Sequence, residues 1–391
     1  MPVHQTIIEL PNFKVSDPVG WAFMSFEAVY EGKARCPHCD CENLRKKDSF
    51  WRKLRHICVG NRLSELKLRS HKFQCLGCKR YFNQRFPGVL PYKRATENFR
   101  RDVFQQHHDG ITQKTLAQRM GLGQATIERW YQDHLKLEDS KIDRSHCPKV
   151  LGIDEHFFTR KKGYATTLVD LTKHRVFDVV LGRSEASLKA YLQRLPGRHN
   201  VRVVVMDLSE TYRSIIKRYF PNAMIVSDRF HVIRLLNQHF LNTWKQLDPD
   251  GRKNRGLLSL MRRHRWNLEQ RQLEKLMDYF QKVPGLQAIY EFKQDLAELL
   301  LHKKQRAKQC RRLIPKLLKA IEELQNCSMD YLKALGATLN SWKNEIVRMW
   351  RFTKTNSITE GLHNKMEMLS RRAYGFRNFE NYRLRVRVHC G

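Results

Sequence analysis

The rhythm of apolar and polar positions changes several times along the chain, and each change marks a different kind of element. Residues 1–30 read as irregular chain followed by an alternating stretch from Trp21 to Tyr30, the pattern of a strand. Residues 31–90 are interrupted by cysteines, lysines and arginines and carry short strands such as Arg62–Arg69. Residues 95–138 have helical periodicity, broken once at Gly121-Leu122-Gly123. From about 148 to 240 strands alternate with helices. From 241 to 350 strand signals vanish, and amphipathic helices follow one another, for example through Leu268, Leu273, Leu276, Met277 and Phe280. The last 40 residues hold one more clear helix and a basic end. The expected segments are 1–94, 95–145, 146–240, 241–350 and 351–391, with no internal repeat.

The segment 146–240 decodes element by element. Val150–Phe158 is a strand, Tyr164–Asp170 a second and Arg175–Leu181 a third. A helix capped by Ser184 runs to Leu195. Val201–Met206 is a continuous apolar run, as expected of a buried parallel strand. A helix from Glu210 to Phe220, a strand at Ala223–Val226 and a helix from about Phe230 complete it. Three antiparallel strands followed by helix, strand, helix, strand, helix is the succession of a ribonuclease-H-like core. The predicted class is therefore multidomain α/β: a ribonuclease-H-like core in two parts, 146–240 and 351–391, interrupted by an all-α insertion over 241–350.

Composition adds a partner to this architecture. The 391 residues include 73 Lys and Arg against 39 Asp and Glu, a formal charge of +34. Such an excess on a chain with 41% hydrophobic residues points to a polyanion, because each cation placed on a phosphate releases condensed counterions. Neither an apolar run of membrane-spanning length nor a signal segment is visible, so nucleic acid fits better than membrane. Ten cysteines in a chain read as unsecreted suggest reduced thiols in a cytoplasm in contact with chromosomal DNA.

Four of those cysteines form two knuckles, Cys36-Pro37-His38-Cys39 and Cys75-Leu76-Gly77-Cys78. Two residues between thiolates let both sulfurs face one tetrahedral ion, so a structural Zn²⁺ in a ribbon within 1–94 is expected. His38, Cys41 and His71 are alternative ligands. In 95–145, Thr112–Trp130 has the pattern of a helix-turn-helix: small Ala117 at a close crossing, and Gly121 four residues later where the turn needs a left-handed residue. Its second helix would present Gln124, Thr126 and Arg129 to a major groove. An ordinary helical hairpin has the same periodicity.

Three acids stand out by position. Asp154 lies in the middle of the first core strand, where an ionised side chain is costly without a counter-charge. Asp207 closes the apolar strand, where ligands collect in open α/β sheets. The two strands are neighbours in this fold, so the carboxylates could converge on two Mg²⁺ or Mn²⁺ ions for phosphoryl transfer. Glu360 opens the first strong helix after the insertion, but Ser357-x-x-Glu360 is equally a capping box. Glu155, Glu210 and Glu367 are rivals expected to be solvated. Asp228 and His231, after the next strand, are close enough to assist or to serve only as structural partners.

The cysteine knuckles, the helix-turn-helix, Gly152–Glu155, Val205–Ser209, Ser227–His231, Asn356–Gly361 and Arg372–Phe376 together resemble a bacterial insertion-sequence transposase of the DDE class, ISL3 family, over essentially the whole chain. The resemblance implies that the acidic triad is Asp154, Asp207 and Glu360, and that Asp228 and His231 form an acid-x-x-His motif. It implies a helical insertion before the final glutamate, in which a tryptophan supports DNA distortion; Trp244, Trp266, Trp342 and Trp350 are all candidates. The implied activity is metal-dependent cleavage at terminal inverted repeats and joining to target DNA, by a homodimer or larger assembly. A nuclease on the same fold and a transposase-derived regulator are the competing readings.

Overall fold

The computed structural model describes residues 9–352 and 357–391; Thr355 and Asn356, which head the motif at Glu360, lie outside the described residues. The chain divides into two compact units, Met1–Ser140 and Lys141–Gly391.

The first unit is built on a sheet of β1 (Phe13–Val15), β2 (Phe23–Tyr30), β3 (Leu44–Val59), β4 (Arg62–Cys75) and β5 (Tyr81–Asn83). The order is β1-β2-β4-β3, with β5 paired to the end of β4. β3 and β4 form an antiparallel hairpin of 16 and 14 residues, far longer than the short strands expected. Leu54, Leu66 and Leu68 in its middle, with the partly buried Val59 near its tip, face the core of Phe13, Phe26 and Ala28. The opposite positions carry Lys53, Lys67 and Arg69, so most of the hairpin shows no apolar alternation. Its length comes from cross-strand pairing, which sequence rhythm does not report.

Three helices follow: α1 (Glu97–His108), α2 (Gln113–Met120) and α3 (Gln124–Lys141). Phe99, Val103, Leu116, Met120 and Ile127 enclose a small core completed by Ile57, Cys58 and Leu63 from the hairpin tip. Thr112 caps α2, accepting from the Thr115 amide at 3.2 Å. Gly121 ends the helix at φ 57°, ψ 44°, a left-handed conformation that a Cβ would strain.

The second unit contains a sheet ordered β10-β9-β6-β7-β8. β6 (Val150–Thr159), β7 (Gly163–Asp170) and β8 (Arg175–Leu181) are antiparallel; β9 (Val203–Met206) and β10 (Met224–Ser227) continue parallel beyond β6. The crossovers are α4 (Glu185–Arg194) and α5 (Glu210–Tyr219). All four residues of β9 are buried, as its unbroken apolar run requires. α6 (Arg229–Leu247) leads into the helical region, α7 (Pro249–Lys253), α8 (Arg255–Arg262), α9 (Gln270–Lys282), α10 (Pro284–Leu301), α11 (Ala307–Asn326), α12 (Asp330–Ser341) and α13 (Lys343–Met349). Buried Arg229 ties this region to the sheet, donating to the carbonyls of Leu300, His302 and Met349.

The chain returns to the sheet with two helices rather than one, α14 (Ser357–Arg372) and α15 (Phe379–Cys390). α15 buries Phe379, Tyr382, Val386 and Cys390 at helical spacing, but Arg383, Arg385 and Arg387 between them mask the stripe. Among the described residues no helix is long and apolar enough to cross a membrane.

Candidate active site and metal centre

Strand alternation decides which side chains of β6 share a face: Gly152, Asp154 and His156 stand in a row. Thr167 of β7 is directly opposite Asp154. α14 crosses this face closely, because Gly152 has no side chain: a Cβ there would come within 3.2 Å of Thr359 Oγ1. One turn later His363 Nδ1 lies 3.9 Å from Asp154 Oδ2. The other oxygen of Asp154 accepts from the Glu155 amide at 2.8 Å.

On the other side of β6, Asp207 follows β9 and Asp228 follows β10. Asp228 is buried and its Oδ2 is 2.8 Å from His231 Nδ1 in the first turn of α6. Asp207 Oδ1 is buried and bonded to nothing among the described residues. Burial pushes the Asp154 carboxyl up to about 6, helped by the charges of Asp207 and Asp228 and opposed by the Glu155 amide and His231. Burial also raises Asp207, opposed by His231. His231 is raised, chiefly by its bond to Asp228. The site thus concentrates partly desolvated negative charge and an unsatisfied oxygen, which a hard divalent cation would relieve.

Glu360 is exposed in the first turn of α14, one turn before His363. Thr359 and His363 of this helix approach the β6 face. The three carboxylates of the expected triad do not bring their oxygens within 4.8 Å of one another. The rival acids have other partners: Glu155 pairs with Arg183 at 3.2 Å, Glu210 with Arg213 at 3.2 Å and Glu367 with Arg371 at 2.6 Å.

Sequence reasoning passed over His363, His156, Thr167 and Tyr382. Thr167 Oγ1 lies 3.0 Å from His363 Nε2 and 2.9 Å from His156 Nδ1, and His156 Nε2 is 2.9 Å from the Tyr382 hydroxyl. Burial lowers His363 to about 4 and His156 to about 3, so both are neutral near pH 7. The 3.9 Å approach of His363 to Asp154 is therefore between a carboxylate and a neutral ring, not an ion pair. A sequence signal did exist: Glu360-x-x-His363 repeats the spacing of Asp228-x-x-His231.

In the first unit the four expected cysteines converge. Cys36, Cys39, Cys75 and Cys78 place their sulfurs within 4.8 Å of one another. Cys36–Cys78 is 3.6 Å and Cys39–Cys75 is 3.5 Å, against about 3.8 Å between sulfurs in a tetrahedron with 2.3 Å zinc bonds. The Cys78 amide, with burial opposing it, and the Cys39 sulfur and Gly77 amide draw the Cys75 thiol down to about 6. Of the alternative ligands, His71 bonds Ser49 Oγ at 2.9 Å and His38 approaches Arg80, while Cys41 packs against the cluster but is not one of the four converging sulfurs. On α3, Gln124 and Arg129 are exposed and Thr126 is half-buried, with Arg129 Nη2 3.2 Å from Thr126 Oγ1.

The four candidate tryptophans separate cleanly. Trp244 and Trp350 are fully buried, with their indole nitrogens donating to Tyr279 and to the Leu299 carbonyl, and Trp342 is buried beneath the Arg213 guanidinium. Trp266 is 52% exposed, stacked on His264 at 4.5 Å.

Residues 151–386 match the family model described as a transposase, of the ISL3 type, and residues 84–135 match that of the helix-turn-helix domain of transposase family ISL3. Among individual proteins, the chain is 24% identical over 363 residues to the transposase for insertion sequence element IS1001 of Bordetella parapertussis, covering 90% of this chain and 88% of that one. It is 23% identical over 270 residues to the transposase for insertion sequence element IS1557 of Mycobacterium tuberculosis, covering 61% of this chain and 60% of the relative.

Proposed function

Because the chain belongs to the ISL3 family of transposases, we propose that it cuts DNA at the ends of an insertion sequence and joins the freed ends to a target, using Asp154, Asp207 and Glu360 as its acidic triad. The observation that carries this reading is the pairing of Asp154 with Asp207 on adjacent strands, both raised by burial, with an unsatisfied buried oxygen on Asp207. Glu360 joins them by family resemblance and by its place one turn before His363.

The three acids would hold two Mg²⁺ or Mn²⁺ ions, which polarise a phosphoryl oxygen and ready water or a 3′-hydroxyl for in-line attack. The protein's own part is to aim these carboxylates in a partly buried site whose charge the ions would offset. His231, whose pKa is raised by its bond to Asp228 and by the charges of Asp207 and Asp154, would offset their charge in its protonated form. The ribonuclease-H-like reading is supported by the strand order β10-β9-β6-β7-β8, with helical residues between the two parts of the core. The five segments 1–94, 95–145, 146–240, 241–350 and 351–391 then correspond to zinc ribbon, helix-turn-helix, first core part, insertion and second core part. The four-cysteine cluster holds a structural Zn²⁺, and Gln124, Thr126 and Arg129 read the terminal repeats. Trp266, open to solvent in an arginine-rich turn, is the insertion tryptophan that stacks on distorted DNA. Synapsis of two ends calls for a homodimer or larger assembly.

The test is to incubate purified protein with labelled terminal-repeat DNA, Mg²⁺ and a target plasmid, beside Asp207→Asn. Joined product that disappears in the variant supports transposition. Cleavage without joining would identify a nuclease, and binding without either a regulator.

A further inference from the structure

The row Gly152, Asp154, His156 on β6 and the facing Thr167 on β7 are covered by α14 and α15, and the polar groups trapped there are connected end to end. From the far end, the Tyr382 hydroxyl meets His156 Nε2, His156 Nδ1 meets Thr167 Oγ1, Thr167 Oγ1 meets His363 Nε2, and His363 Nδ1 faces Asp154. Each link but the last is a hydrogen bond of 2.9–3.0 Å.

Donor counting gives this chain a direction. An imidazole that passes a hydrogen bond along offers one N–H and one lone pair, and Thr167 has a single hydroxyl proton to divide between the two rings it touches. An ionised Asp154 can only accept. The Tyr382 hydroxyl, 2% exposed as a residue, has its proton free to donate to His156. Both ends therefore select one arrangement: Tyr382 O–H to His156 Nε2, His156 Nδ1–H to Thr167, Thr167 O–H to His363 Nε2, and His363 Nδ1–H toward Asp154. In the reverse arrangement the His363 lone pair would face the carboxylate and be repelled by it.

We propose that Tyr382, His156, Thr167 and His363 form a one-way hydrogen-bond chain that orients the Asp154 carboxylate for metal binding, with His363 as the positioning residue. One oxygen of Asp154 is held by the Glu155 amide and the other faces His363. The carboxylate plane is thereby defined from two sides. At 3.9 Å the last contact is longer than a hydrogen bond, and a shift of about 1 Å closes it. The same ring is carried by α14 one turn after Glu360, so the chain also couples the position of that helix to Asp154. Partners of this kind fix the tautomer and aim of metal-site groups, and their loss typically weakens metal affinity by about 10–100-fold.

The proposal rests on the reading of Asp154 as a metal ligand, and the experiment separates the two. Mn²⁺ binding to the full-length, zinc-loaded protein is measured by calorimetry and by the electron paramagnetic resonance of free Mn²⁺, without DNA. Thr167→Val removes the hydroxyl at constant shape and should raise the Mn²⁺ dissociation constant about 10-fold or more. Thr167→Ser restores the relay and should lie within about 3-fold of wild type, a rescue that a packing role would not produce. Tyr382→Phe removes only the terminal hydroxyl and tests the direction from a distance, with a smaller loss of affinity. His363→Asn keeps a donor near Asp154 and should retain more affinity than His363→Gln, which keeps only the Thr167 link. Asp154→Asn should abolish the binding at this site. If Asp154→Asn loses Mn²⁺ while Thr167→Val and both His363 variants bind like wild type, the chain is refuted and the site reading stands. If Asp154→Asn itself binds normally, the site reading fails and the chain with it. Equal affinities in Thr167→Val and Thr167→Ser would also overturn the relay.

Discussion

Replacing Asp154 by asparagine removes a charge that the fold holds at a cost. Its side chain is 15% exposed, and its carboxyl is raised from 3.8 to about 6, first by burial and then by Asp207 and Asp228. The sign follows from proton counting. Between about pH 4 and pH 6 the folded protein binds this proton and the unfolded chain does not, so stability falls as pH rises through that window. Above pH 6 the penalty is fully present, about 3 kcal/mol for two pKa units at about 1.4 kcal/mol each. Asparagine keeps the acceptor for the Glu155 amide and removes the charge. In buffer without Mg²⁺ or Mn²⁺ at pH 7.5, Asp154→Asn should be more stable by about 1–3 kcal/mol, a rise of about 2–4 °C in melting temperature per kcal/mol for a unit of this size. The difference between the two proteins should shrink as the pH is lowered from 6 to 4. Adding Mn²⁺ should then stabilise wild type, by about 2.7 kcal/mol at a hundredfold excess over its dissociation constant, and leave the variant unmoved. Scanning calorimetry of both proteins across pH, with and without Mn²⁺, reads all of this. A variant that is less stable without metal, or that gains as much from Mn²⁺ as wild type, refutes the reasoning.

Lys293 is 2% exposed, and burial lowers its ammonium from 10.5 to about 8. Between those values the unfolded chain binds the extra proton, so the stability advantage of Lys293→Met should be largest below pH 8 and shrink by about 3 kcal/mol towards pH 10.5, read by urea unfolding; a gap that does not vary with pH counts against it. Cys75 is fully buried among the four sulfurs. Cys75→Ser should purify with little zinc and be cut faster by trypsin between Arg45 and Arg80, and a full zinc content by atomic absorption would contradict the four-cysteine site. Trp266→Ala should weaken binding to distorted or single-stranded terminal-repeat DNA by about 1–3 kcal/mol while changing stability by under about 0.5 kcal/mol. Trp350→Ala should instead destabilise by about 3–5 kcal/mol, and equal effects on folding would remove the distinction between the two tryptophans.

Local chemistry was legible in the residues themselves. Two-residue spacing makes adjacent thiolates face one ion, so the four sulfurs that converge are the four read from the knuckles. The left-handed turn at Gly121 and the buried apolar run of β9 likewise follow from what glycine permits and from what a parallel strand between neighbours demands. Asp207 and Asp228 were legible for the same reason, because a carboxylate placed where an apolar strand ends has a predictable address. Tertiary structure decided whatever depends on which residues face each other across long separations. The extent of the β3–β4 hairpin is set by cross-strand partners, and α15 hides its apolar stripe among arginines that reach solvent. Only packing distinguishes Trp266 from three buried tryptophans of identical chemistry. The chain from Tyr382 to Asp154 joins residues 228 positions apart, through a crossing that Gly152 makes close enough. Its members are ordinary His, Thr and Tyr side chains, and only their tertiary contacts join them: Thr167 has one hydroxyl proton for two rings, with the Asp154 carboxylate at one end and the Tyr382 hydroxyl at the other.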